Sequence, residues 1–247
     1  FQELASCHPD MHPTLLGLGA GEVIAVLSDR AGQYQEAQVW ACAALWQLAG
    51  TAEGELHLLK VDAVGTILQC AERFPDNTEM LVFAMGALSA LCCSGEGQAV
   101  LGEKGAHKLV LKCLGYPDVA ANSEIRRWAC AVLAFMVDDH EANATLLAKT
   151  KALQRVCECL EEPLQTRKKE VKGSTAVTDP MVASCAVLAI DKMLASLPEN
   201  RAAFQEGDKT GKLVGTKLKK LMACMEKHNA VRDVHEFGCS ALRSLSQ

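Results

Sequence analysis

ACAALWQLAG, residues 41–50, is a phrase of small and apolar residues that returns three more times along the chain. The other copies are AMGALSALCC at 84–93, ACAVLAFMVD at 129–138 and GCSALRSLSQ at 238–247. The first leucine of each copy follows its small residues and is here called the anchor: Leu45, Leu88, Leu133 and Leu242. The first three anchors are 43 and 45 residues apart. Helical repeats of about 40–47 residues stack into solenoids, so the phrase predicts a repeat architecture.

Apolar spacing within one period predicts three helices of increasing length. In the stretch 54–93, a short helix is followed by a second helix with apolar residues at helical spacing over 64–71. The segment FPDN at 74–77 ends that helix, because proline lacks a donor and asparagine favours a helix start. A third helix is predicted over about 78–92. The same order recurs further along the chain.

The phrases PENRAAF at 198–204 and VHEFGCSAL at 234–242 resemble the armadillo-repeat signature. The resemblance implies an all-α fold, a right-handed α-α superhelix of about five armadillo- or HEAT-like units. The predicted organisation is an N-terminal segment, 1–13, and a single solenoid, 14–247. Its units are about 14–50, 51–93, 94–138, 139–196 and 197–247, and the first is expected to hold a second and third helix only.

The fourth unit departs from the period, with a third helix predicted over 181–194. Leu188 and Ile190 are both candidate anchors. We prefer Ile190, because its apolar neighbours then face the core and Asp191 does not. The long spacing before Ile190 indicates an insertion, EEPLQTRKKEVKGSTAVTDP at 161–180, which is polar and lacks helical periodicity.

Composition excludes several functional classes. A net charge of −5 and a pI near 5.8 argue against nucleic-acid binding, which requires a dominant cationic face. No uninterrupted apolar run reaches the length of about 18 residues that a transmembrane helix needs. The 12 cysteines include Cys42, Cys130 and Cys239 at one equivalent position within apolar stripes. We interpret them as reduced packing residues of an intracellular protein and expect a cytoplasmic location.

The candidate binding surface follows from the register of the third helices. At 100° per residue, positions −5, −2 and +2 relative to the anchor cluster within about 60°. In the importin-α family, −2 is often tryptophan and +2 is typically an asparagine that binds the peptide backbone. Here the +2 residues are Gln47, Ala90, Phe135, Lys192 and Ser244, and the −2 residues are Ala43, Gly86, Ala131, Leu188 and Ser240. Neither row is present, so we do not expect an importin-type receptor for nuclear-localisation signals.

The −5 residues are aromatic in four units out of five: Trp40, Phe83, Trp128, Cys185 and Phe237. Two interpretations are open, an aromatic row that contacts a partner helix or peptide and rings that wedge between successive third helices. Trp46, at +1, is interpreted as packing between repeats. The groove candidates are Trp40, Gln47, Phe83, Trp128, Phe135, Lys192 and Phe237.

A basic cluster in the insertion is the second candidate surface: Arg167, Lys168, Lys169 and Lys172. Such a cluster either contacts an acidic partner or an anionic membrane or is a solvated loop.

The sequence contains no catalytic motif, and we interpret the histidine pair of HPDMH at 8–12 as an adventitious feature of the N-terminal segment rather than a metal site, so no cofactor is expected. We therefore predict a noncatalytic scaffold or adaptor that binds one or more proteins. It is similar to armadillo-repeats-only adaptors, whose N-terminal lipids tether them to organelle membranes, and such a segment would lie before Phe1. The alternatives are an armadillo arm of a larger signalling or chaperone protein and, from a different class, a regulatory subunit or an enzyme with a helix-lined pocket.

Overall fold

The computed structural model describes residues 9–161, 179–206 and 215–247, and the regular structure within these ranges is helical throughout. The chain divides into two compact units, Phe1–Cys113 and Leu114–Gln247. The first unit holds a 3-10 turn, Pro9–Met11, and α1 His12–Gly17, α2 Ala20–Arg30, α3 Gln35–Leu48, α4 Ala52–Lys60, α5 Ala63–Arg73, α6 Thr78–Ala90, α7 Gly95–Glu103 and most of α8 Ala106–Gly115. The second holds α9 Pro117–Ala120, α10 Ser123–Val137, α11 Glu141–Ala148, α12 Ala152–Glu158, α13 Pro180–Ser196, α14 Pro198–Gln205, α15 Thr216–Lys227 and α16 Arg232–Leu245.

The predicted order of short, medium and long helices is present in both units. The third helices are α3 and α6 in the first unit and α10, α13 and α16 in the second. Helix α3 packs against α6, and α13 packs against both α10 and α16. Second helices cover the other side, as α5 packs on α6 and α15 on α16. Each third helix is thus buried along two faces, one toward its second helix and one toward its neighbouring third helix.

The anchors lie at the centre of this packing. Four anchors are 0% exposed: Leu45, Leu88, Leu133 and Ile190. This burial confirms Ile190 as the anchor of the fourth repeat. Leu242, in the last described helix, is half-buried. The expectation that Asp191 faces away from the core is wrong: its side chain is only 7% exposed.

A backbone contact at the ends of the first four third helices repeats with the anchor register. The carbonyl oxygen three residues after the anchor is closely approached by the next short helix. In two repeats the approaching residue is Gly54 or Gly97, where an added Cβ would stand 1.9 Å from the Leu48 oxygen or 2.2 Å from the Leu91 oxygen. In the last two repeats it is an asparagine whose Nδ2 donates to that carbonyl, Asn143 to Met136 at 2.9 Å and Asn200 to Met193 at 2.8 Å.

Local signals explain where the helices begin. Asn77 Oδ1 accepts from the backbone N–H of Met80, and Asn122 Oδ1 accepts from that of Ile125, as expected of helix N-caps. The glycine-rich segment 17–21 interrupts the first predicted second helix, because Gly19 adopts φ +80° between α1 and α2. A short α1 therefore begins at His12 where the sequence analysis expected no first helix.

The cysteines follow the packing with one exception. The thiols of the described cysteines are free, and Cys42 and Cys130 are fully buried. Cys239, predicted to lie in the same apolar stripe, is exposed. None of the described helices combines the length and apolar character needed to cross a bilayer.

Candidate partner-binding surface

The −5 side chains differ in how far solvent reaches them. Trp40 in α3 is 50% exposed, whereas the other four are half-buried: Phe83, Trp128, Cys185 and Phe237. Burial raises the pKa of the Cys185 thiol, which keeps it protonated and unreactive near neutral pH. Trp40 therefore offers the largest accessible aromatic surface of this row.

Phe83 is partly covered by the neighbouring third helix. The ring of Trp46 on α3 lies 6.1 Å from the ring of Phe83 on α6, centroid to centroid, with the planes tilted by 53°. Trp46 also lies against Gly86, where an added Cβ would stand 2.6 Å from its ring. The prediction that Trp46 packs between repeats is confirmed, and Phe83 takes part in the same contact.

Trp40 borders an apolar pocket in the first unit. The pocket has a volume of about 310 Å³ and is formed by α2 and α3. Its wall includes Ile24 and Leu27 from α2 and Ala37 and Ala44 from α3. Leu27 is itself 53% exposed. A half-exposed indole beside an apolar hollow is the arrangement that accepts an apolar side chain from a partner.

Trp128 has a cation above its ring. The guanidinium carbon of Arg127 lies 4.2 Å from the ring centroid, within the range of a cation–π contact. Glu124, one turn earlier on α10, holds the same guanidinium with an Nη1–Oε1 distance of 3.2 Å. The surface around Trp128 is therefore amphipathic rather than purely apolar.

The remaining groove candidates are half-buried residues at +2: Gln47, Phe135 and Lys192. Lys192 Nζ lies 2.6 Å from Asp138 Oδ1, and both side chains are about one-third exposed. The ammonium group of Lys192 thus forms an ion pair with Asp138, the residue that follows the end of α10.

In the first three repeats the residues at position −2 are buried and do not line an open surface, contrary to the sequence analysis. Ala43 and Ala131 are 2% and 4% exposed, and Gly86 is buried under Trp46. The reason is that the second buried face of each third helix, toward the next third helix, includes −2. The basic-cluster candidates Arg167, Lys168, Lys169 and Lys172 lie outside the described residues.

Sequence reasoning missed the acidic residues around Lys192. Asp191 is buried beside it, and Asp138 pairs with it, although the sequence analysis assigned a functional role to neither. The available signal was an isolated aspartate inside the apolar run ASCAVLAIDKMLAS at 183–196. Over the described ranges, no group of three His, Cys, Asp or Glu side chains is arranged to hold a metal ion.

Comparison with solved structures identifies the fold. The chain resembles "Designed armadillo repeat protein YIII(Dq)4CqI" with a TM-score of 0.75 and 20% identity, over 99% of this chain and 90% of that one. It also resembles "Designed armadillo repeat protein YIII(Dq.V1)4CPAF in complex with peptide (KR)4", with a TM-score of 0.73 and 19% identity over 99% of this chain and 89% of that one. A third similar structure is an engineered protein, Northeast Structural Genomics Consortium target OR329. Its TM-score is 0.78 and its identity 16%, over 99% of this chain and 87% of that one.

No protein-family model matches the chain, and no curated protein matches it in sequence. The structural likeness shows that the fold is that of an armadillo-repeat protein.

Proposed function

Because the chain has the armadillo-repeat fold, we propose that it is a noncatalytic scaffold or adaptor that binds a helix or peptide of one or more protein partners. The observation that carries this proposal is Trp40, 50% exposed beside the apolar pocket of α2 and α3. Truncation of a tryptophan at the centre of an interface typically costs 2 kcal/mol or more. One of the similar designed proteins is described as bound to peptide (KR)4, which supports a peptide ligand for this chain also.

The packing of α3 on α6 favours a helical partner at Trp40. At position −5 of the next repeat, Phe83 is covered by an indole that a neighbouring helix supplies. An amphipathic helix that lies on α2 and α3 in the same way would place a large apolar residue in the pocket beside Trp40. The proposed groove residues are Trp40, Gln47 and Phe83 in the first unit, and Trp128, Phe135, Lys192 and Phe237 in the second.

The test is quantitative partner capture with matched variants. Purified wild type, Trp40→Ala and Trp128→Ala are used as bait in lysate of the native cells, after their melting temperatures have been compared. Tyr34→Ala is the control for Trp40, since Tyr34 is 62% exposed and precedes α3 but does not line the pocket. A partner enriched by wild type and Tyr34→Ala is then purified, and its affinity is measured by calorimetry.

We expect Trp40→Ala to weaken that affinity about 30-fold or more, the equivalent of 2 kcal/mol. If both tryptophan variants retain wild-type affinity for every captured partner, the groove proposal is wrong. We also propose a cytoplasmic location, which is tested by localising the full-length protein in its native cells. An enzyme or regulatory subunit would instead show an activity that survives removal of all copurifying proteins.

A further inference from the structure

The residue three positions after the anchor is buried in four repeats and accessible in the last. In the first four repeats it is at most 1% exposed: Leu48, Leu91, Met136 and Met193. The same position of α16 is occupied by Leu245, which is only half-buried. Leu245 lines an apolar pocket of about 400 Å³, within the size range of ligand-binding sites. The end of α16 is therefore less covered than the ends of the other third helices.

In the first four repeats, a short helix of the next repeat covers the end of the third helix, as α4 packs on α3, α11 on α10 and α14 on α13. These short helices share a pattern. A glycine or asparagine lies against the carbonyl oxygen three residues after the anchor, and a large apolar residue follows four positions later. The pairs are Gly54 with Leu58, Gly97 with Leu101, Asn143 with Leu147 and Asn200 with Phe204. The large residues are at most 3% exposed, and a spacing of four places both members of a pair on one helix face.

The pocket at α16 has the walls of such a short-helix seat. Its lining comes from all three helices of the last repeat: Phe204 and Gln205 of α14, Gly215 and Leu218 at the start of α15, and Leu242, Leu245 and Ser246 near the end of α16. In the first unit, α7 likewise lies on the preceding short helix α4 and against the end of α6.

The carbonyl acceptor of the seat is also present. Gln205 Nε2 donates to the Leu245 carbonyl oxygen at 3.2 Å, the type of bond that Asn143 and Asn200 make at the two preceding third helices. Because a carbonyl oxygen has two lone pairs, the contact with Gln205 leaves it able to accept from a further donor. The end of α16 thus combines an apolar hollow with the backbone acceptor that short helices recognise elsewhere in the chain.

We propose that this pocket binds a short helix of a partner protein that carries glycine or asparagine and, four residues later, leucine or phenylalanine. The large side chain enters among Leu218, Leu242 and Leu245, and the glycine or asparagine lies against the Leu245 carbonyl. The occupant is defined by continuity with the other repeats, where four short helices meet equivalent third-helix ends with the same two residues. The inference goes beyond the proposed function, because it adds a partner site in the second unit that does not involve Trp40.

The probe is an acetylated and amidated peptide with the sequence of residues 139–150, which contains Asn143 and Leu147. Binding to the full-length protein is followed by NMR of labelled leucine and methionine methyl groups, since so short a peptide is marginally helical in water and binds weakly. We expect the methyl signals of Leu218, Leu242 and Leu245 to shift during the titration. The signal of Met136 should stay unchanged, because α11 already fills its seat.

Variants of the protein and of the peptide test the two sides of the contact. Leu245→Ala and Leu218→Ala should each raise the dissociation constant about tenfold, because each removes apolar surface that the bound helix would bury. Met222→Ala is the control on α15, since Met222 is 55% exposed and outside the pocket, and it should change the constant less than twofold. In the peptide, Leu147→Ala should abolish the shifts, whereas Thr145→Ala, at a position exposed on α11, should not.

Three results would overturn the proposal: no shift of the pocket leucines with the original peptide, equal binding of the Leu147→Ala peptide, or equal weakening by Met222→Ala and Leu245→Ala. The melting temperatures of the protein variants are compared first, and the peptide variants decide the question if a protein variant fails to fold. These outcomes are separable from failure of the scaffold proposal, because capture that depends on Trp40 is measured in the first unit with a different partner.

Discussion

The indole of Trp46 on α3 lies directly against Gly86 on α6, with 2.6 Å between its ring and the place of a Cβ on Gly86. The two residues occupy +1 in one repeat and −2 in the next, so they mark how third helices stack within the first unit. Only a residue without a side chain allows this approach. The stacking contact between α3 and α6 therefore depends on Trp46 and Gly86 together rather than on either residue alone.

We expect Gly86→Ala to lower the free energy of unfolding by about 1–3 kcal/mol, because the added methyl group overpacks against the ring. In a Trp46→Ala background the sign should reverse, since alanine is intrinsically the better helix former by about 1 kcal/mol. Urea unfolding of the two single variants and the double variant measures this coupling. Additive effects would show that the two side chains do not interact.

A second prediction concerns the close approach of Gly97 to the end of α6. A Cβ on Gly97 would stand 2.2 Å from the Leu91 carbonyl oxygen, which cannot move without distorting the helix end. We expect Gly97→Ala to destabilise the protein by about 3 kcal/mol. Gly95→Ala is the control within α7, because no atom lies within 4 Å of its added methyl group. It should be neutral or stabilise by up to about 1 kcal/mol, as measured by thermal unfolding.

The sequence predicted the repeat and its register because both depend on strong periodic signals. The anchor spacing, the order of helices and the helix start at Asn77 were all readable from local residue types. The same register explains why the burial of polar residues at position +1 was not predicted. Ser89 and Asp191 occupy +1 in their repeats and are 3% and 7% exposed. A third helix has two buried faces, and the hydrophobic pattern reveals only the face that is strictly apolar.

The candidate surface was less predictable than the fold. Helical angles alone placed position −2 beside position −5. The packing of α3 on α6 buries the residues at −2 and leaves Trp40, at −5, exposed. In the second unit, one polar pocket of about 480 Å³ is lined by residues of α10, α11, α13 and α16 that are up to about a hundred positions apart, among them Val137, Glu141, Asp191 and Ser240. No local pattern encodes such a juxtaposition, so the sequence could not predict it.

Arg126 supports a third prediction, on the stability of the second unit. The residue is 4% exposed, and its guanidinium donates from Nη2 to the carbonyl oxygens of Cys159 at 2.6 Å and Glu161 at 2.5 Å. Because the two carbonyls follow the end of α12, they have no helical donor of their own. We expect Arg126→Met to lower the free energy of unfolding by about 2–3 kcal/mol, because it removes the donor to a buried carbonyl.

The control for Arg126 is Arg155→Met. Arg155 makes a more exposed ion pair with Glu158 at 2.8 Å, and its loss should cost at most about 1 kcal/mol. Chemical denaturation followed by far-ultraviolet circular dichroism compares the two variants. An equal effect would mean that the buried hydrogen bonds of Arg126 contribute no more than a surface pair.

A fourth prediction concerns how the stability of the protein depends on pH, and it rests on Asp191. Burial raises the pKa of its carboxyl group above the usual aspartate value, and the nearby carboxylate of Asp138 raises it further. The Ser240 hydroxyl and the cations of Lys192 and Arg243 oppose this rise but do not cancel it. The folded state therefore retains a proton at pH values where the unfolded chain has lost it. By linkage, the stability that Asp191 contributes is greatest below its unfolded pKa and is lost as the pH rises through its folded pKa.

Asp191→Asn should abolish this part of the pH dependence. We expect the variant to gain stability relative to wild type as the pH rises from acidic to neutral, with the difference measured by urea unfolding across that range. Asp233→Asn, which removes an exposed carboxylate in the first turn of α16, is the comparison variant. If Asp191→Asn were less stable than wild type at neutral pH, the ionised carboxylate would already be satisfied within the fold.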